Sequence, residues 1–142
     1  MVGYGMNAPE LEKNPHLTKY FVKDLNVTPS LNEVEDESVD VVICNVSVDY
    51  LVKPVNVFSE LRRLLKAGGT AHMAFSNRCF PTKAIGKWMG MNDEYRRKWV
   101  GGYFWASSGW KEVEEVILKE GNPSFMGMGG EDPLYVVRGR KA

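Results

Sequence analysis

Cysteine and histidine are both scarce, at two each in 142 residues. Cys44 and Cys79 form no metal-ligand spacing with His16 or His72, and two cysteines make a poor disulfide framework. No metal site is expected, and a reducing intracellular compartment, cytoplasmic or an organellar matrix, is. Charge of one sign is also lacking: eighteen basic residues balance eighteen acidic ones. Long-range attraction to nucleic acid or to a membrane surface is therefore not expected. No uninterrupted apolar run approaches the roughly 18 residues of a membrane span. Met1 to Gly5 carry neither a secretory signal nor an amphipathic transit pattern.

What is present is an ordinary globular composition, 44% hydrophobic and 25% charged. The length suits one domain over residues 1–142, by the prior of about 100–200 residues per domain. Met1-Val2 runs as a strand into a turn, and Asn7-Ala8-Pro9-Glu10 combines an N-cap residue, a first-turn proline and a glutamate able to reach back. A short helix from Ala8 to about Lys13 follows. Tyr20 to Lys23 is a short strand ending at Asp24, and Thr28 to Glu37 is a polar loop. Val39 to Val48 is almost continuously apolar, as a strand covered on both faces requires.

From Pro54, the residues Val57, Phe58, Leu61, Leu64 and Leu65 recur on one helical face. Gly68-Gly69 stops that helix near Lys66. Thr70 to Ser76 is a second interior strand. Thr82 caps a helix reaching Trp88-Met89, and Asp93 caps another presenting Tyr95, Trp99 and Tyr103 or Phe104. The period of Val113, Val116 and Ile117 predicts a helix over 111–120, and Leu134 to Val137 is a closing strand. Alternating strands and helices of this kind predict an α/β fold, a three-layer, mostly parallel, Rossmann-like sheet. Right-handed crossovers place the functional crevice at the strands' carboxyl ends. Four polar turns fall there: Gly5-Met6-Asn7, Asp24-Leu25-Asn26, Asn45-Val46-Ser47 and Ser76-Asn77-Arg78.

Two glycine patterns invite a phosphate or dinucleotide reading. Gly3-Tyr4-Gly5-Met6-Asn7-Ala8 matches G-x-G-x-x-[GA], with Asp24 at about the distance of a ribose-binding acid. Only two residues precede Gly3, however, and Pro15 interrupts the following helix. Gly127-Met128-Gly129-Gly130 resembles an anion nest with no helix behind it, which favours a flexible hairpin loop.

A more specific pattern runs Ser38-Val39-Asp40-Val41-Val42-Ile43-Cys44-Asn45, then Leu51 and Pro54, then Leu61-Arg62-Arg63-Leu64-Leu65-Lys66-Ala67-Gly68-Gly69. It resembles the class I S-adenosylmethionine-dependent methyltransferases, the type 11 group in particular. Val2 to Asn7 resembles their second strand and turn, Phe75 to Arg78 the end of their fifth, and Asp132 to Arg138 their closing strand. The resemblance implies S-adenosyl-L-methionine as cofactor and a small-molecule acceptor. It also implies a first strand and glycine-rich loop that lie before Met1 in those enzymes, so the domain reads as N-terminally incomplete. Their ribose-gripping acid aligns with Gly5, which has no side chain.

Carried over by position, the cofactor side comprises Gly5, Met6, Asn7, Asp24, Leu25 and Asn45, with Asp24 suited to an adenine amino group. The acceptor side comprises Ser47, Asn77, Arg78, Trp88 and Trp99. Asp49 and Tyr50 are the nearest groups for deprotonating an acceptor, although methyl transfer needs alignment and dryness more than an acid or base. Core packing competes with an acceptor lid as the role of the aromatics from Trp88 to Trp110. Two functions are expected: a methyltransferase impaired or inactive as this chain alone, or a degenerate fold serving as an interaction subunit. Cofactor binding is expected to be weak or absent. Either function leaves sheet edges for a protein partner or a second copy to cover.

Overall fold

The computed structural model describes residues 1–122 and 130–142. Its elements are β1 (Val2–Gly5), α1 (Ala8–Glu12), β2 (Lys19–Val22), β3 (Val39–Asn45), a 3-10 turn (Val48–Tyr50), α2 (Pro54–Leu64) and β4 (Leu65–Phe75). A second 3-10 turn (Trp88–Gly90), α3 (Asp93–Ser107), β5 (Trp110–Lys119) and β6 (Leu134–Lys141) complete the order. The Gly127–Gly130 segment, read above as a nest-like glycine pattern or a hairpin loop, falls largely outside the described residues.

The strands form two sheets. One is the parallel pair β1-β2; the other has the order β3-β4-β6-β5. β3 and β4 are parallel, as the apolar runs and the intervening helix predicted, whereas β6 is antiparallel to both β4 and β5. The sheet is thus mixed, which corrects the expectation of a mostly parallel one, and the described helices α2 and α3 cover one of its faces, so the three expected layers are two here.

The helix expected over 111–120 is the strand β5. Its register against β6 shifts between Lys111 and Glu114, where Glu112 adopts a φ of 52°. Such a bulge breaks the two-residue alternation, so the apolar spacing imitates a helical period. Cross-strand pairing then overrides local propensity: Glu114 meets Arg138 at 2.6 Å and Glu112 meets Arg140 at 2.6 Å. The helix expected from Thr82 is replaced by turns up to Trp88, and Asn92, rather than Asp93, caps α3 by accepting from Tyr95 N at 2.9 Å.

α2 begins at Pro54 and buries Val57, Phe58, Leu61 and Leu64. It ends at Leu64, two residues before the expected Lys66, because Leu65 turns extended to pair with Val39. The chain then bulges before rejoining the β3 ladder at Thr70. Gly68 supplies a φ of 75° there, and a Cβ on Gly69 would sit 2.9 Å from Asp40 O, so glycine is required at both for different reasons.

α2 and α3 cover one sheet face, made by Ala71, Met73, Phe75, Tyr135 and Val137. The core between them is aromatic. Phe58 meets Phe104 edge-on at 4.8 Å, Phe104 meets Trp110 at 4.9 Å, and Phe75 meets Trp88 at 5.3 Å. Edge-to-face contacts of this kind add about 0.5–1.5 kcal/mol each beyond area burial. Core packing therefore claims Trp88, Tyr103, Phe104 and Trp110, while Tyr95 and Trp105 are exposed.

The β1-β2 pair joins the rest through the loop after β2, not through a ladder. Leu31 is buried, its N–H donates to Glu60 Oε2 at 2.8 Å and its carbonyl accepts from Arg63 Nη2 at 3.0 Å. Asn26 donates to Tyr50 O and accepts from Val52 N, each at 2.9 Å. Among the described residues, the second edges of β1 and β3 carry no strand partner.

Candidate functional site

The turns at the carboxyl ends of β1, β2, β3 and β4 hold the predicted residues, and each has a local reason for its shape. Gly5 accepts from Lys23 N at 2.8 Å, which closes the β1-β2 ladder. Met6 is exposed, and Asn7 is the N-cap residue of α1, yet its side chain makes no cap bond. Asp24 Oδ1 accepts from Asn26 N at 2.9 Å, a local turn that leaves the other carboxylate oxygen available. Leu25 packs against the core.

After β3 the backbone is strained. Val46 has a φ of 51°, rare for a β-branched residue and costing about 1–3 kcal/mol. Its N–H is held by Ala74 O at 2.8 Å, and Ser47 Oγ turns back to Asn45 O at 2.8 Å. The next turn carries Asp49, 2% exposed, with neither carboxylate oxygen bonded to a described residue. Burial raises its pKa, and Arg96 is too weakly coupled to cancel that. Burial also pushes the Cys44 thiol up to about 11, with Asp49 adding to the effect, so this thiol stays protonated and unreactive at neutral pH. Tyr50 is half-buried, its carbonyl occupied by Asn26.

The acceptor-side residues are dispersed. Arg78 lies at the surface, 2.9 Å from Asp132, and the neighbouring Asn77 is exposed. Trp88 is fully buried, with its indole N–H unpartnered. Trp99 lies on the outer side of α3, donates to Tyr103 OH at 2.6 Å, and has Lys87 over its ring at 5.6 Å.

An open groove of about 600 Å3 lies on the sheet face opposite α2 and α3. Val41, Ile43, Asn45 and Val46 border it with His72 and Ala74, and Leu118, Leu134 and Val136 close the far side. Of the residues predicted from sequence only Asn45 lies in it. His72, whose Nε2 is 3.0 Å from Thr70 Oγ1, has its pKa lowered by burial and by Arg138. Sequence reasoning missed His72, and it named Asn26 within a polar turn without giving it a role. The alternation of Thr70, His72 and Ala74 along β4 is the signal that placed His72 on the open face.

Residues 5–73 match the methyltransferase domain family, the type 11 group of the class I S-adenosylmethionine-dependent enzymes. Solved methyltransferases share the fold. An S-adenosylmethionine-dependent methyltransferase from Archaeoglobus fulgidus is 12% identical with a TM-score of 0.63, over 99% of this chain and 75% of that one. A possible histamine N-methyltransferase from Thermotoga maritima is 15% identical with a TM-score of 0.64, over 99% and 72%. A Haloferax volcanii methyltransferase solved with its Trm112 activator is 18% identical with a TM-score of 0.56, over 99% and 70%. Other matched chains are spanned from 41% to 79%. No curated protein sequence matches the chain. No described helix is long and apolar enough to cross a membrane.

The matched family implies S-adenosylmethionine as cofactor, a molecule with a charged amino-acid end, a ribose diol and an adenine. The described residues do not fit it as a whole. Among the described residues no charged side chain borders the groove, where Asn45 and His72 are the polar side chains, and Gly5 presents no group to a diol. Among the described residues beside these turns, Asp24 keeps one unbonded carboxylate oxygen, and the Asp49 carboxyl, also unbonded, is buried.

Proposed function

We propose that residues 1–142 carry part of an S-adenosylmethionine-dependent methyltransferase domain for a small-molecule acceptor, impaired in cofactor binding as this chain alone. The observation that carries this reading is the match over residues 5–73 combined with a sheet divided into β1-β2 and β3-β4-β6-β5. In this reading Gly5, Met6, Asn7, Asp24, Leu25 and Asn45 form the cofactor side, and Ser47, Asn77, Arg78, Trp88 and Trp99 the acceptor side. Asp49 and Tyr50 remain the nearest groups to a reacting acceptor. A buried carboxyl with a raised pKa suits proton uptake better than an exposed one.

Weak binding follows from arithmetic. Each lost hydrogen bond to a charged group is worth roughly 1.5–3 kcal/mol, or about one to two decades of affinity. Loss of partners at both the amino-acid end and the ribose removes a micromolar site. Calorimetry of the chain with S-adenosylmethionine and with S-adenosylhomocysteine should show no micromolar binding. A micromolar dissociation constant overturns the impairment.

The uncharged lining of the groove favours a second reading, a methyltransferase fold retained as an interaction subunit. Covering of the open β1 and β3 edges by a protein partner or a second copy belongs to both readings. Recovery of cofactor binding when the chain is expressed with a preceding strand and glycine-rich turn separates the two: recovery supports the enzyme, and its failure supports the subunit.

A further inference from the structure

We propose that Asp49 is a pH-responsive latch, which seats the 76–92 crossover on the end of the sheet when protonated and releases it when ionised. The crossover is fastened to the Asp49 turn by a backbone bond, Ile85 N donating to Asp49 O at 2.9 Å. Trp88 is its deepest anchor. The ring is fully buried against Phe75, and Arg96 Nε and Nη2 both donate to Trp88 O at 3.2 Å. Beneath this cover the Asp49 carboxyl is 2% exposed, with both oxygens unbonded. The Trp88 indole N–H is likewise buried and unbonded. A charged carboxylate in such a place must find a partner or water.

Among the described residues, no facing group supplies that partner. From β3 comes the Cys44 thiol, itself neutral, and the adjoining Tyr50 phenol is neutral too. From α3 come Arg96, whose hydrogen bonds go to Trp88 O and to Asp93 at 2.6 Å, and Tyr103, whose hydroxyl accepts from Trp99; neither is hydrogen-bonded to the Asp49 carboxyl. The crossover contains no carboxylate. Its cations lie elsewhere: Arg78 against Asp132, Lys83 over Phe80 and Lys87 over Trp99. Its remaining titratable group, the Cys79 thiol, bears on Tyr50. Ionisation is therefore relieved by letting water in, and the loop clasped at Ile85 is the part that yields. Opening uncovers the carboxyl ends of β3 and β4.

Linkage sets the sign. The closed form binds the proton more tightly than the open form, so opening grows with pH from the ordinary carboxyl value up to the raised one and then levels. The growth is about tenfold per pH unit. Hydrogen exchange of the Ile85 and Trp88 amides, corrected for intrinsic rates, is the measurement, on the wild-type chain and on Asp49→Asn. As pH rises the wild type should lose more protection at these two amides than at Ala71 and Val137, and Asp49→Asn should stay protected throughout. Equal profiles in the two proteins overturn the latch, as does an equal loss of protection at all four amides. Carboxyl carbon shifts of the wild type give an independent check that requires no variant. A titration of Asp49 at the ordinary aspartate value overturns the latch, and a raised one supports it.

Discussion

Gly139 sits on β6 directly beneath the Phe104 ring. A Cβ at this position would lie 2.6 Å from Phe104 Cδ1 and 2.8 Å from Cε1. Carbon atoms in contact prefer about 3.5 Å or more, so Gly139→Ala drives the ring back by roughly 1 Å. There is nowhere for it to go. Phe58 stands edge-on to Phe104 at 4.8 Å and Trp110 at 4.9 Å, and all three side chains are buried. Overpacking of this kind costs about 1–3 kcal/mol. Replacing glycine by alanine also restricts the unfolded chain, which gains only about 0.4–1 kcal/mol. Strain therefore wins, with a net loss of about 1–2 kcal/mol. Urea unfolding should show a lower midpoint at an unchanged slope. Phe104→Leu in the same chain should recover part of the loss, because the two sites share one contact. A midpoint raised by Gly139→Ala alone would refute the close approach of β6 to α3.

Arg63 holds the Glu60 carboxyl below the usual carboxylate range. Its share of stability is thus present above the ordinary glutamate value of about 4.3 and is lost as pH falls through the lower folded value; Glu60→Gln should flatten that acid limb in pH-dependent unfolding. Val46→Gly should relieve the φ of 51° and raise the thermal midpoint, by about 1 kcal/mol in stability; a lowered midpoint would contradict the strain. Asp49→Asn should stabilise the domain at neutral pH by about 1–3 kcal/mol, since it removes a buried carboxylate without partners. The wild type loses stability as pH rises above the ordinary aspartate value, and a variant melting no higher than wild type at pH 7 would refute this. Sedimentation at micromolar concentration should find the chain associated through its open edges, and a well-folded monomer would count against that expectation.

Residue pattern by itself determined α2 and the β3-β4 pair. Val57, Phe58, Leu61 and Leu64 share one face at the helical period, the strands on either side are largely apolar, and a short right-handed crossover makes them parallel neighbours. It also placed Asn45, Ser47 and Asp49 near the carboxyl end of β3, although the apolar run to Val48 overshoots the strand, which ends at Asn45. Tertiary structure decided the rest. β5 became a strand through its pairing with β6, since a bulge at Glu112 leaves a residue spacing that reads equally as helix. The groove is built from β3, β4, β5 and β6 together, so no segment of sequence contains it. Trp88 and Trp99 share a chemistry but not a position: Trp88 is sealed against Phe75 and Trp99 lies on the outer side of α3. That Asp49 lacks a partner is likewise a property of everything packed around it. Local periodicity reports which face of an element is buried, whereas what lies against that face depends on residues distant in the chain.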